Sequence, residues 1–146
     1  MGAPAYIPKP SKFQRDAAKW ERGRARDKAK RAEELAEKKA WDALTLDAYN
    51  RDHGCSRLSW RPLEYRTQNP FTVADPHHIK WRSAGGLDVL ENIVTISREE
   101  HDMIHMRGNY KFRIEVEGNA NKTLTCRKFS METGRLVREW ESPCPS

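Results

Sequence analysis

The stretch DPHHIKWRSAGGLDVLENIVTISREEHDMIH, residues 75–105, decides how this chain is read. It holds four of the five histidines in 146 residues. His77 and His78 are adjacent, and in an extended strand neighbouring side chains point to opposite faces. The two imidazoles therefore cannot easily do the same job. Phe71 to Ala74 reads as the start of a strand running into His77. Pro76 removes a ladder hydrogen bond, which suits an edge strand or a bulge. Gly85 and Gly86 interrupt regular structure, Asn92 opens a second strand, and Ile93 to Ile96 is its apolar body. Ser97-Arg98-Glu99-Glu100 has the form of a capping box and predicts a helix from Arg98, with Gly108 as its end. His101 and His105 then stand one turn apart on one helix face, as paired metal ligands require.

Two different jobs for two histidines make chemical sense. A histidine that titrates near neutral pH can take a proton from water. A histidine bound to a metal cannot, because the metal occupies its lone pair. Neutral imidazoles suit zinc, nickel, cobalt or manganese, whereas magnesium prefers oxygen. Asp75 lies two residues before His77, placed either to hydrogen-bond a ligand histidine or to serve as a turn residue.

The rest of the chain is polar. Its apolar fraction is 37%, its mean hydropathy −0.93 and its pI about 9.4. Residues 9–40 contain 12 Lys/Arg and 6 Asp/Glu, so they hold the whole net charge of +6. A basic arm beside a near-neutral domain points to a polyanion, with nucleic acid first; a solvated charged helix is the plainer reading. Ser11 and Gln14 can cap a helix running from about Lys12 to Leu44. Its stripe of Ala25, Ala29, Ala32, Ala36 and Ala40 buries little area, so the helix is weakly held. It suits lying along DNA or pairing with a second copy in a homodimer. Residues 51–63 read as a turn-rich connector. Phe112, Ile114 and Val116 alternate with charged residues as a half-buried strand, and Lys122 to Phe129 and Arg135 to Trp140 read as two more. No stretch reads as a membrane span or signal peptide, and three scattered cysteines make no disulfide framework. The expectation is a cytoplasmic protein.

Residues 75–105 closely resemble the HNH nuclease motif, carried by the histidine pair, RSAGG, ENIVTI and H-x3-H in that order. Weaker likeness runs from Arg51-Asp52 to GNANKTL, as in small HNH proteins of phages and bacteria. With the long basic N-terminal helix and the C-terminal antiparallel β-meander read above, the expected fold is α+β around the ββα-metal core that the resemblance implies. The chain then divides into a helical arm (1–50), a nuclease domain (51–108) and a β extension (109–146). The resemblance implies His77, His101 and His105 as metal ligands, His105 as in the colicin-type domains. His78 corresponds to the general base and Asn92 to the residue that orients the base and its loop. One divalent ion per chain is implied (Mg2+, Mn2+, Ni2+ or Zn2+). Arg82, Lys80, Arg98 and Arg107 are the candidate phosphate contacts, Arg82 foremost because it belongs to RSAGG. Many HNH proteins hold a structural zinc with two CxxC pairs; here only Cys55 stands near the first, and Ser97 and Glu100 replace the second, so no structural zinc is expected. The implied function is a metal-dependent endonuclease that nicks DNA, either a phage nuclease, in the host cytoplasm if phage-encoded, or a host restriction enzyme.

Rival readings explain less. His101-Asp102-x-x-His105 echoes H-E-x-x-H proteases, and His101-Asp102 echoes the all-helical HD phosphohydrolases. Neither uses His77, His78 and Asn92. A DNA-binding protein with a purely structural metal site has no need of His78.

Overall fold

The computed structural model describes residue 2 and residues 8–146. The protein is α+β. Helix α1 spans Lys12–Arg51; strands β1 (Ala74–His78) and β2 (Ile93–Ser97) form an antiparallel pair; helix α2 spans Arg98–Ile104. Strands β3 (Phe112–Gly118), β4 (Leu124–Ser130) and β5 (Leu136–Ser142) form a second antiparallel sheet in that order. Among the described residues, no helix is long and apolar enough to cross a membrane.

The chain forms two compact units, Met1–Lys39 and Ala40–Ser146. In the first, the Ser11 hydroxyl accepts the Gln14 N–H at 3.2 Å, and the Gln14 side chain accepts the Ser11 N–H at 2.8 Å. This is the cap the sequence predicts, and the arm is helical from there on. Helix α1 runs past the expected end at Leu44. The reason is tertiary: Thr45 and Ala48 are buried, and the Tyr49 hydroxyl donates to the Leu63 carbonyl at 2.8 Å.

In the second unit, β1 starts at Ala74 rather than Phe71. Asn69 holds the preceding residues in a turn: its side chain accepts the Phe71 N–H at 3.0 Å and its carbonyl the Val73 N–H at 3.0 Å. Phe71 is exposed. The β1–β2 register is continuous and sets Pro76 against Thr95, His77 against Val94 and His78 against Ile93. Pro76 breaks nothing, because the Thr95 backbone faces away from β1. The Thr95 N–H donates to Asp52 and its carbonyl accepts the Arg57 N–H, both at 2.9 Å.

Ser97 caps α2 with the full capping box, its hydroxyl and Glu100 satisfying each other's backbone N–H groups. The helix stops at Ile104, short of Gly108. Met106 adopts the left-handed conformation (φ 52°), and the Arg107 N–H reaches the Asp102 carbonyl at 2.8 Å. That bond closes a Schellman cap with methionine in the position that glycine more often takes. His105 is thus the C-cap residue rather than a helical one. Its N–H still bonds the His101 carbonyl at 3.1 Å, so the one-turn spacing survives.

Ile114 and Val116 are buried and Phe112 is half-buried, as their alternation predicts. Ile114 and Val116 join Leu58, Val94, Ile96, Ile104, Ala120, Leu124 and Cys126 in the core. Burial pushes the Cys126 thiol up to about 11, so it behaves as an inert apolar group. At the centre lies Arg57, fully buried, its guanidinium donating to Asp52 (3.1 Å), Ala120 O (2.7 Å), Lys122 O (3.0 Å) and Ser142 O (3.1 Å). Asp52 also takes both guanidinium arms of Arg51 at 2.9 Å. Asp52→Ala strands Arg57 as a buried cation. It should lower unfolding free energy by about 3–5 kcal/mol, read as a shifted urea midpoint.

Candidate functional site

Strand β1 alternates in burial, so Asp75 and His77 face inward while Pro76 and His78 face the other way. His77 meets α2. Nitrogens of His77, His101 and His105 all lie within 4.8 Å of one another, with ring centroids 4.7 to 5.3 Å apart. This is the one such cluster among the described residues, and it can hold a metal ion. The three implied ligands are therefore brought together, one from a strand, one from a helix and one from its cap.

Electrostatics keep the cluster ready for a cation. Burial, with His101 and His105 alongside, pushes His77 down to about 3. His105 is lowered too, by burial first and then by His101. Both rings are neutral at ordinary pH and keep a lone pair to donate. Asp75 accepts from His101 Nδ1 at 3.2 Å, which leaves Nε2 as the free donor atom of that ring. Arg98 in turn holds Asp75, with Nη2 and Nε at 3.0 and 2.7 Å from its two oxygens. Of the two readings open for Asp75, the histidine partner is the one found. Trp81 lies tilted over His105 at 5.1 Å.

His78 has a different set of neighbours. Its Nε2 lies 2.7 Å from Asp88 Oδ1, and because a carboxylate oxygen accepts, Nε2–H is the donor. Its ring stacks on Trp41 at 5.2 Å with 6° between planes. Arg82 sits over Trp41 at 4.7 Å and grips Asp88 with Nε and Nη2 at 2.9 and 2.8 Å. Arg82, then His78, holds the Asp88 carboxyl below its ordinary range. Trp41 and Asp88 escaped the sequence reading. Asp88 had a weak signal, as one of two acids between the histidine pair and Asn92; Trp41, far along α1, had none.

The Asn92 side chain makes no hydrogen bond to His78. It clamps the intervening loop: its Oδ1 accepts the Lys80 N–H (2.7 Å), and its Nδ2 donates to Lys80 O (2.9 Å) and Leu87 O (3.0 Å). Those bonds place Asp88, which holds His78. Gly86 completes the loop by packing where a Cβ would lie 1.8 Å from Lys80 O. All four candidate phosphate contacts, Lys80, Arg82, Arg98 and Arg107, are exposed; Arg82 is paired with Asp88 and Arg98 with Asp75. A cleft of about 380 Å³ lies beside His77, lined by Ile79, Trp81, Met106 and Arg113 among others. A larger cavity, about 580 Å³, lies elsewhere, between Trp60, Met103 and Trp140.

Comparison of the chain with protein-family models, curated proteins and solved structures finds no match.

Two outcomes follow from this geometry. Asp75→Ala removes the acceptor of His101 Nδ1–H and should weaken binding of Zn2+ or Ni2+ by about 10–100-fold, measured by calorimetric titration of the metal-free protein. The second concerns pH. Unfolded His77 takes up a proton near its ordinary 6.5, whereas folded His77 resists until about 3. Its contribution to stability is therefore complete above 6.5 and is lost as pH falls through that window, at up to about 1.4 kcal/mol per pH unit. Urea midpoints of metal-free protein should drop between neutral and mildly acidic pH, and His77→Asn should flatten that drop.

Proposed function

We propose that the chain is a metal-dependent endonuclease of the HNH type that hydrolyses DNA phosphodiester bonds. The observation that carries this reading is the division of His77 and His78. One ring joins a three-imidazole cluster, while its neighbour sits outside it, held by a carboxylate with one nitrogen free. A site that only stabilised the fold would not need the second histidine so equipped.

His77, His101 and His105 would hold the ion. The donor set fits a borderline cation such as Zn2+, Ni2+ or Mn2+ better than Mg2+. When bound, the ion supplies positive charge against the phosphate and the departing 3′-oxygen. His78 Nδ1 takes the proton from the attacking water. Asp88 accepts from Nε2 throughout, which fixes the tautomer and steadies the imidazolium that forms. Asn92 holds the loop that carries Asp88, so it positions the base at one remove. Lys80 and Arg82 lie on that same loop, exposed, and meet the phosphate backbone. Arg98 acts instead on Asp75. One active site cuts one strand, leaving 5′-phosphate and 3′-hydroxyl ends.

The test is nicking of supercoiled plasmid with no metal, Mg2+, Mn2+, Ni2+ and Zn2+. Wild type should nick in a metal-dependent manner. His78→Ala should lower the rate by about 10²–10⁴-fold while binding metal normally, and Asp88→Asn should fall between the two. Metal binding without cleavage of any duplex or single-stranded DNA by wild type would make the centre structural and the protein a DNA binder.

A further inference from the structure

The arm, residues 12–39, carries a pattern that the site does not use. Lys12, Arg15, Lys19, Arg22, Arg26 and Lys30 follow one another at steps of three or four residues. At about 100° per residue, they fall within an arc of about 80° on α1 and run along about 27 Å of it. Asp16, Glu21 and Asp27 all fall outside that arc. Glu33 and Glu37 take the next two positions and end the stripe. All six cations are exposed. Among the described residues of the arm, the only ion pair is Lys30 with Glu34, at 3.8 Å.

Neighbouring cations at these steps repel, so the stripe works against the helix that displays it. A polyanion lying along it would remove that repulsion. We propose that this face of α1 is a binding surface for duplex DNA, taking the phosphate backbone without reading its sequence. A duplex presents one phosphate for about every 1.7 Å of its axis, ample for six cations over about 27 Å. A membrane surface fits less well. A helix that lies on lipid needs a broad face of large apolar residues, whereas the arm's exposed ones are only Phe13, Trp20 and Leu35, widely spaced. The surface shares its partner with the proposed nuclease but does not depend on cleavage.

The experiment is fluorescence anisotropy of a labelled duplex with the full chain in EDTA, across a series of KCl concentrations. Six phosphate contacts contribute a slope of about −5 to log K against log salt, or about 10³-fold in affinity between 50 and 200 mM. K12Q/R15Q/K19Q/R22Q/R26Q/K30Q should make the slope shallower by about 5. Its far-UV circular dichroism should stay helical, since glutamine is a good helix former. K9Q/R24Q/K28Q/R31Q/K38Q/K39Q removes the same charge from outside the stripe and should change the slope by less than half as much. Equal effects of the two variants would reduce the stripe to bulk charge and overturn the proposal. So would an unchanged slope in the first variant, or tighter binding of wild type to phosphatidylserine vesicles than to the duplex. EDTA removes the metal, so a chain that binds through the stripe yet fails to nick plasmid would sink the nuclease reading and leave this one standing.

Discussion

The Arg57–Asp52 ion pair holds the larger unit together. Both side chains are fully buried, which is costly for any charge that lacks partners. Here the partners are complete. The Arg57 guanidinium reaches Asp52 and three backbone carbonyls, one each from Ala120, Lys122 and Ser142. Asp52 joins the end of α1 to β2 through the Thr95 N–H. One pair thus links the long helix, the two-stranded sheet, the β3–β4 turn and the end of β5. The arrangement is specific because guanidinium donors are fixed in a plane, and each must find its acceptor at once.

That pair also explains how the site tolerates its own sequence. With Thr95 bonded to Asp52 and Arg57, the opposite position on β1 needs no donor, and Pro76 occupies it without a bulge. The register therefore stays intact through His77 and His78. An unbroken register keeps the two imidazoles on opposite faces, since a slip of one residue would exchange them. On one side, α2 supplies His101 and His105. On the other, α1 supplies the Trp41 ring and the loop supplies Asp88.

The loop between the strands is itself built to a tight specification. Asn92 bonds both ends of it, and Gly86 sits where no side chain could. Asp88 then serves two masters, His78 and Arg82, and Trp41 lies against both. A carboxylate shared between a histidine and an arginine ties the candidate base to a cation suited to phosphate. Beneath α2, Ser56 donates to Glu100 at 2.5 Å, and Ser97 bonds the same carboxylate. These hydrogen bonds fasten the helix to the connector.

Much was legible in the residues alone. The alternation at 112–116, the caps at Ser11 and Ser97, and the opposed histidines follow from local periodicity and hydrogen-bond chemistry, which need only neighbours in sequence. The same holds for His101 and His105, one helical turn apart. What tertiary structure decided rests on long-range partners. Helix α1 outruns Leu44 because Thr45, Ala48 and Tyr49 find a surface to pack on. Helix α2 stops early because Met106 accepts a left-handed turn. The roles of Asp52 and Arg57 depend on acceptors up to 85 residues away, and Trp41 reaches His78 only once the chain has folded back on itself. Periodicity reports which face a residue lies on; it does not report what that face will meet.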